Sequence, residues 1–86
     1  MTKHTYPMIT ILNEETKLLN GYVVDLAIFC EGKTQEDVYA ETQTLVTRYI
    51  TLAQKYEAEI PPPSGIDTVK KKWPGYAVST VTVSIK

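Results

Sequence analysis

The stretch from Thr34 to Ile60 constrains the fold most, because its residues have the pattern of one long amphipathic helix. Thr34 is a good N-cap residue, and Glu36 and Asp37 follow it where negative charge stabilises the helix dipole. Pro61–Pro63 end the pattern, since proline has no amide to donate and disfavours helical geometry in the residue before it. The sequence therefore predicts a helix over 34–60, the only long helix that this chain can form.

Apolar side chains along this helix recur at spacings of three, four and seven residues, which places them on one face. The predicted apolar stripe consists of Val38, Leu45, Tyr49, Leu52 and Tyr56, widened by Val46, Ile50 and Ala53. Polar residues such as Gln43 and Arg48 fall mostly on the other side. A stripe of this length needs a partner surface, and the rest of the chain predicts strands.

The first predicted strand is Tyr6–Leu12, which is rich in β-branched and apolar residues and is bounded by polar ones. Alternation places Ile9 and Ile11 on one face and Met8 on the other. Pro7 indicates either an edge strand or the first pair of the ladder, where a missing amide is tolerated.

The most apolar run of the chain is Gly21–Glu31, and Asn20 with Gly21 at its start has the pattern of a turn. Eleven residues are long for one strand. The run is therefore either one long bent strand or two short strands joined by a very tight break near Ala27. Asp25 is the only charge inside it.

After the prolines, Ile66–Lys72 is compatible with a short helical segment, which Trp73 and the following Pro-Gly pair interrupt. Trp73 either covers one end of the core or contacts a partner. Residues 76–85 form the clearest strand, because apolar residues alternate with Thr and Ser. The side chains expected beneath the helix are Val81, Val83 and Ile85.

These elements predict a single α+β domain over residues 1–86, a length typical of one domain. A small antiparallel or mixed sheet of three to four strands packs on one long helix, in the order β-β-(β)-α-β. A strand, a long helix and another strand imply a right-handed connection if those two strands are parallel.

The net charge and the cysteine content limit the classes of function and the compartment that we expect. A formal charge of −1 disfavours a strongly basic nucleic-acid binder and a polybasic membrane binder. Cys30 is the only cysteine and cannot form an internal disulfide, which is typical of a reducing compartment. No apolar run approaches the length of a membrane span, and residues 1–20 lack a signal-peptide core. We expect a soluble cytoplasmic protein without membrane contact.

No motif for catalysis, metal binding or a cofactor stands out. A two-metal nuclease needs several converging carboxylates. Asp25 is the only acid deep in a predicted strand, whereas Glu31, Glu36 and Asp37 have the pattern of solvated or dipole-compensating acids. His4 is the only histidine, and no cysteine or histidine cluster stands near it. We therefore expect no catalytic residue, no metal ligand and no cofactor.

Several short motifs follow the same order as in one known family. They are Tyr6-Pro7, Gly21-Tyr22, Gly32–Asp37 entering the helix, Ile60–Ser64 leaving it, and the closing strand Val81–Ile85. Over nearly its whole length the chain resembles the HicB antitoxins, the partners of HicA ribonuclease toxins. The family's P-D-L-P-G turn between its second and third strands has no counterpart here.

The resemblance implies a partial RNase H-like domain that lacks nuclease activity and neutralises a small basic HicA-like toxin by binding it. It also implies a homodimer or a larger homo-oligomer. The family's C-terminal DNA-binding segment has no counterpart up to Lys86, so DNA binding by this chain is not expected. The alternatives are an RNase H-like oligomeric binding protein of unrelated role and a nucleic-acid-processing enzyme that uses Asp25.

The candidate interface, for a partner or for a second copy, combines residues of the strands and of the outer helix face. Its members are Tyr22, Asp25, Tyr39, Arg48 and Trp73. For the homodimer we expect a contact through the first two strands or through the helix face near Tyr39 and Arg48.

Overall fold

The computed structural model describes residues 2–85 and has the predicted α+β architecture, a four-stranded antiparallel sheet packed against one long helix. The order of strands across the sheet is β3-β2-β1-β4. The elements are β1 Thr2–Asn13, β2 Leu18–Val23, β3 Ile28–Gly32, α1 Gln35–Lys55, α2 Ile66–Lys72 and β4 Ala77–Ile85. No helix within the described residues is both long and apolar enough to cross a membrane.

Strand β1 lies in the interior of the sheet, so the edge position, one of the two alternatives that Pro7 left open, is wrong. β1 starts at Thr2 and pairs with β4 over residues 2–10, where Pro7 is opposite Thr80. On the other side the ladder with β2 begins only at Met8, opposite Val23. Pro7 therefore directly precedes the first pair of the β1–β2 ladder, close to the second of the two positions that the sequence allowed.

The run from residue 21 to 31 forms two strands with a tight break, the second of the two alternatives that the sequence left open. A single 3-10 turn over Val24–Leu26 connects them, and Ala27 closes it with φ of 54°. The predicted turn at Asn20 and Gly21 is wrong, since both residues lie inside β2. Gly21 is there for a different reason: a Cβ at this position would lie 2.6 Å from Val38 Cγ1 of the helix.

Helix α1 begins where the sequence predicts and ends earlier. The hydroxyl of Thr34 accepts a hydrogen bond from the amide of Asp37 at 3.1 Å, which confirms the N-cap. The helix ends at Lys55 instead of continuing to Ile60, and Glu57 turns the chain away with φ of 54°. Its 21 residues span about 32 Å.

The buried face of α1 is rotated relative to the predicted stripe. The fully buried positions follow one another in steps of four and are Val38, Thr42, Val46 and Ile50. Leu52 and Tyr56, predicted to be core, are 47% and 71% exposed. Gln43, predicted to be solvated, donates through Nε2 to the carbonyl of Thr82 at 3.0 Å. A residue four positions along the helix lies about 40° beyond a full turn, because α1 has about 3.6 residues per turn. The line of buried residues therefore winds around α1, which contacts both β3 and β4.

Strand β4 confirms the predicted alternation, since Val81, Val83 and Ile85 are all buried in the core beneath α1. The strands that α1 connects are antiparallel, because each neighbouring pair in the sheet is antiparallel. The right-handed parallel connection therefore does not form. Helix α2 has the predicted bounds and contacts β4, with Val69 buried.

Candidate functional site

The face of the sheet opposite α1, here called the outer face, carries a groove of about 650 Å³. Strand alternation places Ile9 and Ile11 there, opposite in direction to the core residues Tyr6 and Met8. The segment after α2 forms the remaining wall. The residues that line the groove are Ile9, Ile11, Asn20, Gly21, Tyr22, Phe29, Cys30, Glu31, Trp73 and Tyr76.

Four aromatic side chains form a continuous cluster along this groove. Tyr22 and Phe29 are direct cross-strand neighbours in the β2–β3 ladder, and their rings stack with centroids 4.2 Å apart. Trp73 meets Tyr22 edge to face at 6.0 Å, and Tyr76 meets Trp73 in the same way at 5.9 Å. The two edge-to-face separations are typical of favourable aromatic pairs, and the stacked pair is closer still, so the groove has a preformed aromatic wall.

The groove remains open to solvent although its walls are apolar. Phe29 is 69% exposed, Ile11 45% and Tyr76 37%. Glu31 is the only charged residue among those that line it. The indole nitrogen of Trp73 is buried, with no hydrogen-bond partner among residues 2–85. Such a surface is suited to apolar side chains and, through the aromatic faces and the carboxylate, to a lysine or arginine.

The structure brings together two of the five predicted interface residues, Tyr22 and Trp73. Tyr39 is half-buried and packs against the core beneath α1. Arg48 is exposed and lines a second, smaller groove between α1 and β3. Asp25 lies in the turn between β2 and β3, outside both grooves.

The carboxylate of Asp25 holds the chain segment that leaves α1. Its Oδ2 accepts from the amide of Ser64 at 3.0 Å, and its Oδ1 accepts from the Ser64 hydroxyl. Tyr6 fixes the same segment, because its hydroxyl donates to the carbonyl of Pro61 at 2.7 Å. Burial, and then the negative charge of Asp25, raises the pKa of Tyr6 above its ordinary value. Asp25 thus has a structural contact on both oxygens.

No group of three or more histidine, cysteine, aspartate or glutamate side chains within residues 2–85 is placed to hold a metal ion. The acids near the start of α1 occupy the positions expected from dipole compensation, with Glu36 and Asp37 in its first turn. Glu31 is not part of that helix turn; it lies on β3 and is exposed.

Sequence reasoning missed Ile11, Phe29, Glu31 and Tyr76 as members of the groove. Alternation along Tyr6–Leu12 already grouped Ile9 with Ile11, which was a usable signal. The positions of Phe29 and Glu31 depend on where the β2–β3 hairpin turns, because a one-residue change of register moves every side chain to the opposite face. Tyr76 follows α2, and its position depends on how that segment packs against the sheet. Without the position of that turn, the sequence does not show that Phe29 lies opposite Tyr22.

Comparison of the chain with models of protein families, with curated proteins and with solved structures finds no match. The resemblance to the HicB antitoxins therefore rests on the short motifs in the sequence.

Proposed function

We propose that this protein is a non-catalytic binding module of the HicB-like antitoxin type, which binds and neutralises a small basic HicA-like ribonuclease toxin. The open aromatic groove on the outer face carries the proposal. Protein interfaces are enriched in Tyr, Trp and Phe, and a few such side chains supply most of the binding free energy. Here Tyr, Trp and Phe side chains all line one groove, which α1 does not cover.

The charge of the groove suits a basic partner. Glu31 is its only charged lining residue, and the rings of Tyr22, Trp73 and Tyr76 offer faces to a cationic side chain. A partner that inserts an arginine or lysine with neighbouring apolar residues would cover the exposed area of Phe29 and Ile11. The three strands, long helix and closing strand that the sequence predicts are all present, with the short helix α2 before the closing strand.

The test is coexpression with the product of the adjacent reading frame, where that frame encodes a small basic protein. We expect the two proteins to copurify and the growth arrest caused by the partner to be relieved. Tyr76→Ser should weaken binding by about thirtyfold, the effect of removing an interface residue worth roughly 2 kcal/mol.

Tyr56→Ser is the matched control, because Tyr56, the residue directly after α1, is 71% exposed and does not line the groove. It should bind as the wild type does. Failure of the neighbouring basic protein to bind would contradict the toxin proposal. Equal affinities for the Tyr76 and Tyr56 variants would contradict the assignment of the groove as the binding surface.

A further inference from the structure

The backbone of the sheet can pair with a further strand only along its two edges, β3 and β4. β1 and β2, which the sequence placed in a contact with a second copy, have neighbours on both sides and offer no free edge. Along β4, helix α2 packs against the strand, and Gln43 of α1 hydrogen-bonds the carbonyl of Thr82. β3 contains no proline or lysine, the residues with which proteins commonly protect an exposed edge. β3 is therefore the more open edge, and its five residues span about 17 Å.

The alternation of side chains along β3 connects this edge with two grooves. On the outer face, Phe29 and Glu31 line the aromatic groove. On the helix side, Ile28 and Phe29 line a second groove of about 340 Å³ between β3 and α1. The wall that α1 contributes to this groove consists of Leu45, Arg48, Tyr49 and Leu52. Because Phe29 lines both grooves, they meet at the free edge of β3.

Apolar surface is exposed on both sides of this edge. Phe29 is 69% exposed, and Leu52 in the helix-side groove is 47% exposed. A strand added beside β3 directs its alternate side chains to opposite faces of the sheet, so that one set reaches the outer groove and the other the helix-side groove. In strand addition the main-chain hydrogen bonds supply affinity, and pockets for alternate side chains supply specificity. The edge of β3 offers both.

The two grooves carry charges of opposite sign. Within residues 2–85, Glu31 is the only charged residue that lines the outer groove, and Arg48 is the only one that lines the helix-side groove. Both side chains are exposed. Glu31 lies near the end of β3, whereas Arg48 shares its groove with Ile28 at the start of the strand. A complementary strand therefore has a basic side chain opposite Glu31 and, three positions away and on the other face, an acidic side chain opposite Ile28.

The strands at the edges of this chain do not meet that requirement. Neither β3, Ile28–Gly32, nor β4, Ala77–Ile85, contains a lysine or an arginine. If either strand of a second copy paired with β3, it would bring no cationic side chain to Glu31. The charges at this edge therefore favour a segment of a different protein.

We propose that an extended segment of the basic partner protein adds to the sheet beside β3 and runs antiparallel to it. Every neighbouring pair in the sheet is antiparallel, and antiparallel pairing is slightly more stable per residue than parallel pairing. From its amino end the segment reads basic, apolar, apolar, acidic, with the basic residue opposite Glu31 and the acidic residue beside Arg48. This mode of binding rests on the proposed function for the identity of the partner.

A labelled synthetic peptide, Thr-Lys-Val-Phe-Glu-Val-Thr, has this pattern, and fluorescence anisotropy measures its affinity for the protein. The control peptide, Thr-Glu-Val-Phe-Lys-Val-Thr, has the same composition with the two charges exchanged. We expect the first peptide to bind about tenfold more tightly, because its charges complement both grooves. Equal affinities, or no saturable binding of the first peptide, would overturn the proposal.

A charge exchange in the protein tests the orientation of the peptide. Glu31→Lys combined with Arg48→Glu should invert the preference, so that the control peptide binds more tightly. Glu41→Lys combined with Lys55→Glu is the matched control, because it also conserves net charge and alters two exposed residues that line neither groove. It should keep the wild-type preference. Circular dichroism checks that both double variants are folded. An unchanged preference in the folded Glu31 and Arg48 variant would contradict the proposed register.

Amide hydrogen exchange followed by NMR separates strand addition from the insertion of side chains alone. At saturation the first peptide should slow the exchange of the β3 amides that face away from β2 by about tenfold or more, because they gain a carbonyl partner. The amides of β4 should exchange as before. Unchanged exchange along β3 would overturn the proposal. Protection that grows with protein concentration in the absence of peptide would assign the edge to a second copy and would overturn it as well.

The proposed function and strand addition can fail separately. If the neighbouring basic protein binds and leaves the exchange of the β3 amides unchanged, strand addition is wrong and the proposed function stands. If that protein does not bind but the first peptide gives the expected result in all three measurements, the edge of β3 is a strand-addition site and the toxin proposal is wrong.

Discussion

The two faces of the sheet are made from the same strands and differ in how completely their side chains are buried. Towards α1, Met8, Val23 and Val81 are completely buried in one core cluster. On the outer face, the short helix α2 and Trp73 cover only part of the surface, and Phe29 is left 69% exposed. The difference shows that burial towards α1 forms the core of the protein, whereas the outer face keeps apolar side chains exposed to solvent.

The largest expected effect compares two residues of β1 that point to opposite faces. Met8→Ala removes a side chain with no exposed area and should lower the free energy of unfolding by about 2–5 kcal/mol. Ile11→Ala removes a side chain that is 45% exposed in the groove and should cost about 1 kcal/mol or less. Urea unfolding of both variants measures this. Equal losses would mean that the outer face is a second core.

A substitution in the close contact between β2 and α1 should have an intermediate effect on the free energy of unfolding. Gly21→Ala adds a methyl group 2.6 Å from Val38 Cγ1, and the overpacking should cost about 1–3 kcal/mol. Gly65→Ala is the control, because its nearest neighbouring atom is 3.8 Å away and its φ of −73° suits alanine. The control should cost no more than about 1 kcal/mol, because Gly65 is the N-cap of α2, where alanine is less favourable than glycine. If thermal unfolding shows no difference between the two, the close approach of α1 to β2 is wrong.

The smallest effect concerns Tyr6, which extends from the core side to the segment after α1. Tyr6→Phe leaves the Pro61 carbonyl without its donor and should cost about 1–2 kcal/mol near neutral pH.

The cost should also depend on pH. Burial raises the folded-state pKa of Tyr6 above its ordinary value of 10.0, so the folded protein holds this proton more tightly than the unfolded chain does. The stabilisation is therefore fully present below about pH 10 and is lost as the pH rises through the folded-state pKa. Unfolding free energies at about pH 8 and about pH 11 should decline more in the wild type than in Tyr6→Phe. An equal decline would show that Tyr6 ionises as freely as in the unfolded chain.

Part of the candidate site was predictable from local pattern. Tyr22 and Trp73 were both expected at an interface, and they meet across the groove. Asp25, the one charge in an apolar run, was grouped with them, and its carboxylate holds Ser64 instead. A charge in such a run needs a polar partner, but the sequence does not reveal whether that partner belongs to the same chain or to another molecule. Here the partner lies 39 positions away.

The sequence by itself determined the α+β class, the cap at Thr34, the bounds of α2 and the inward side of β4, because each depends on residues within a few positions of one another. Tertiary structure alone decided the central place of β1, the face of α1 that is buried and the aromatic groove. These depend on which strands become neighbours and in which register. Gly21 shows the reason most directly: next to Asn20 it has the local pattern of a turn, yet it lies within a strand where the helix approaches too closely for any side chain.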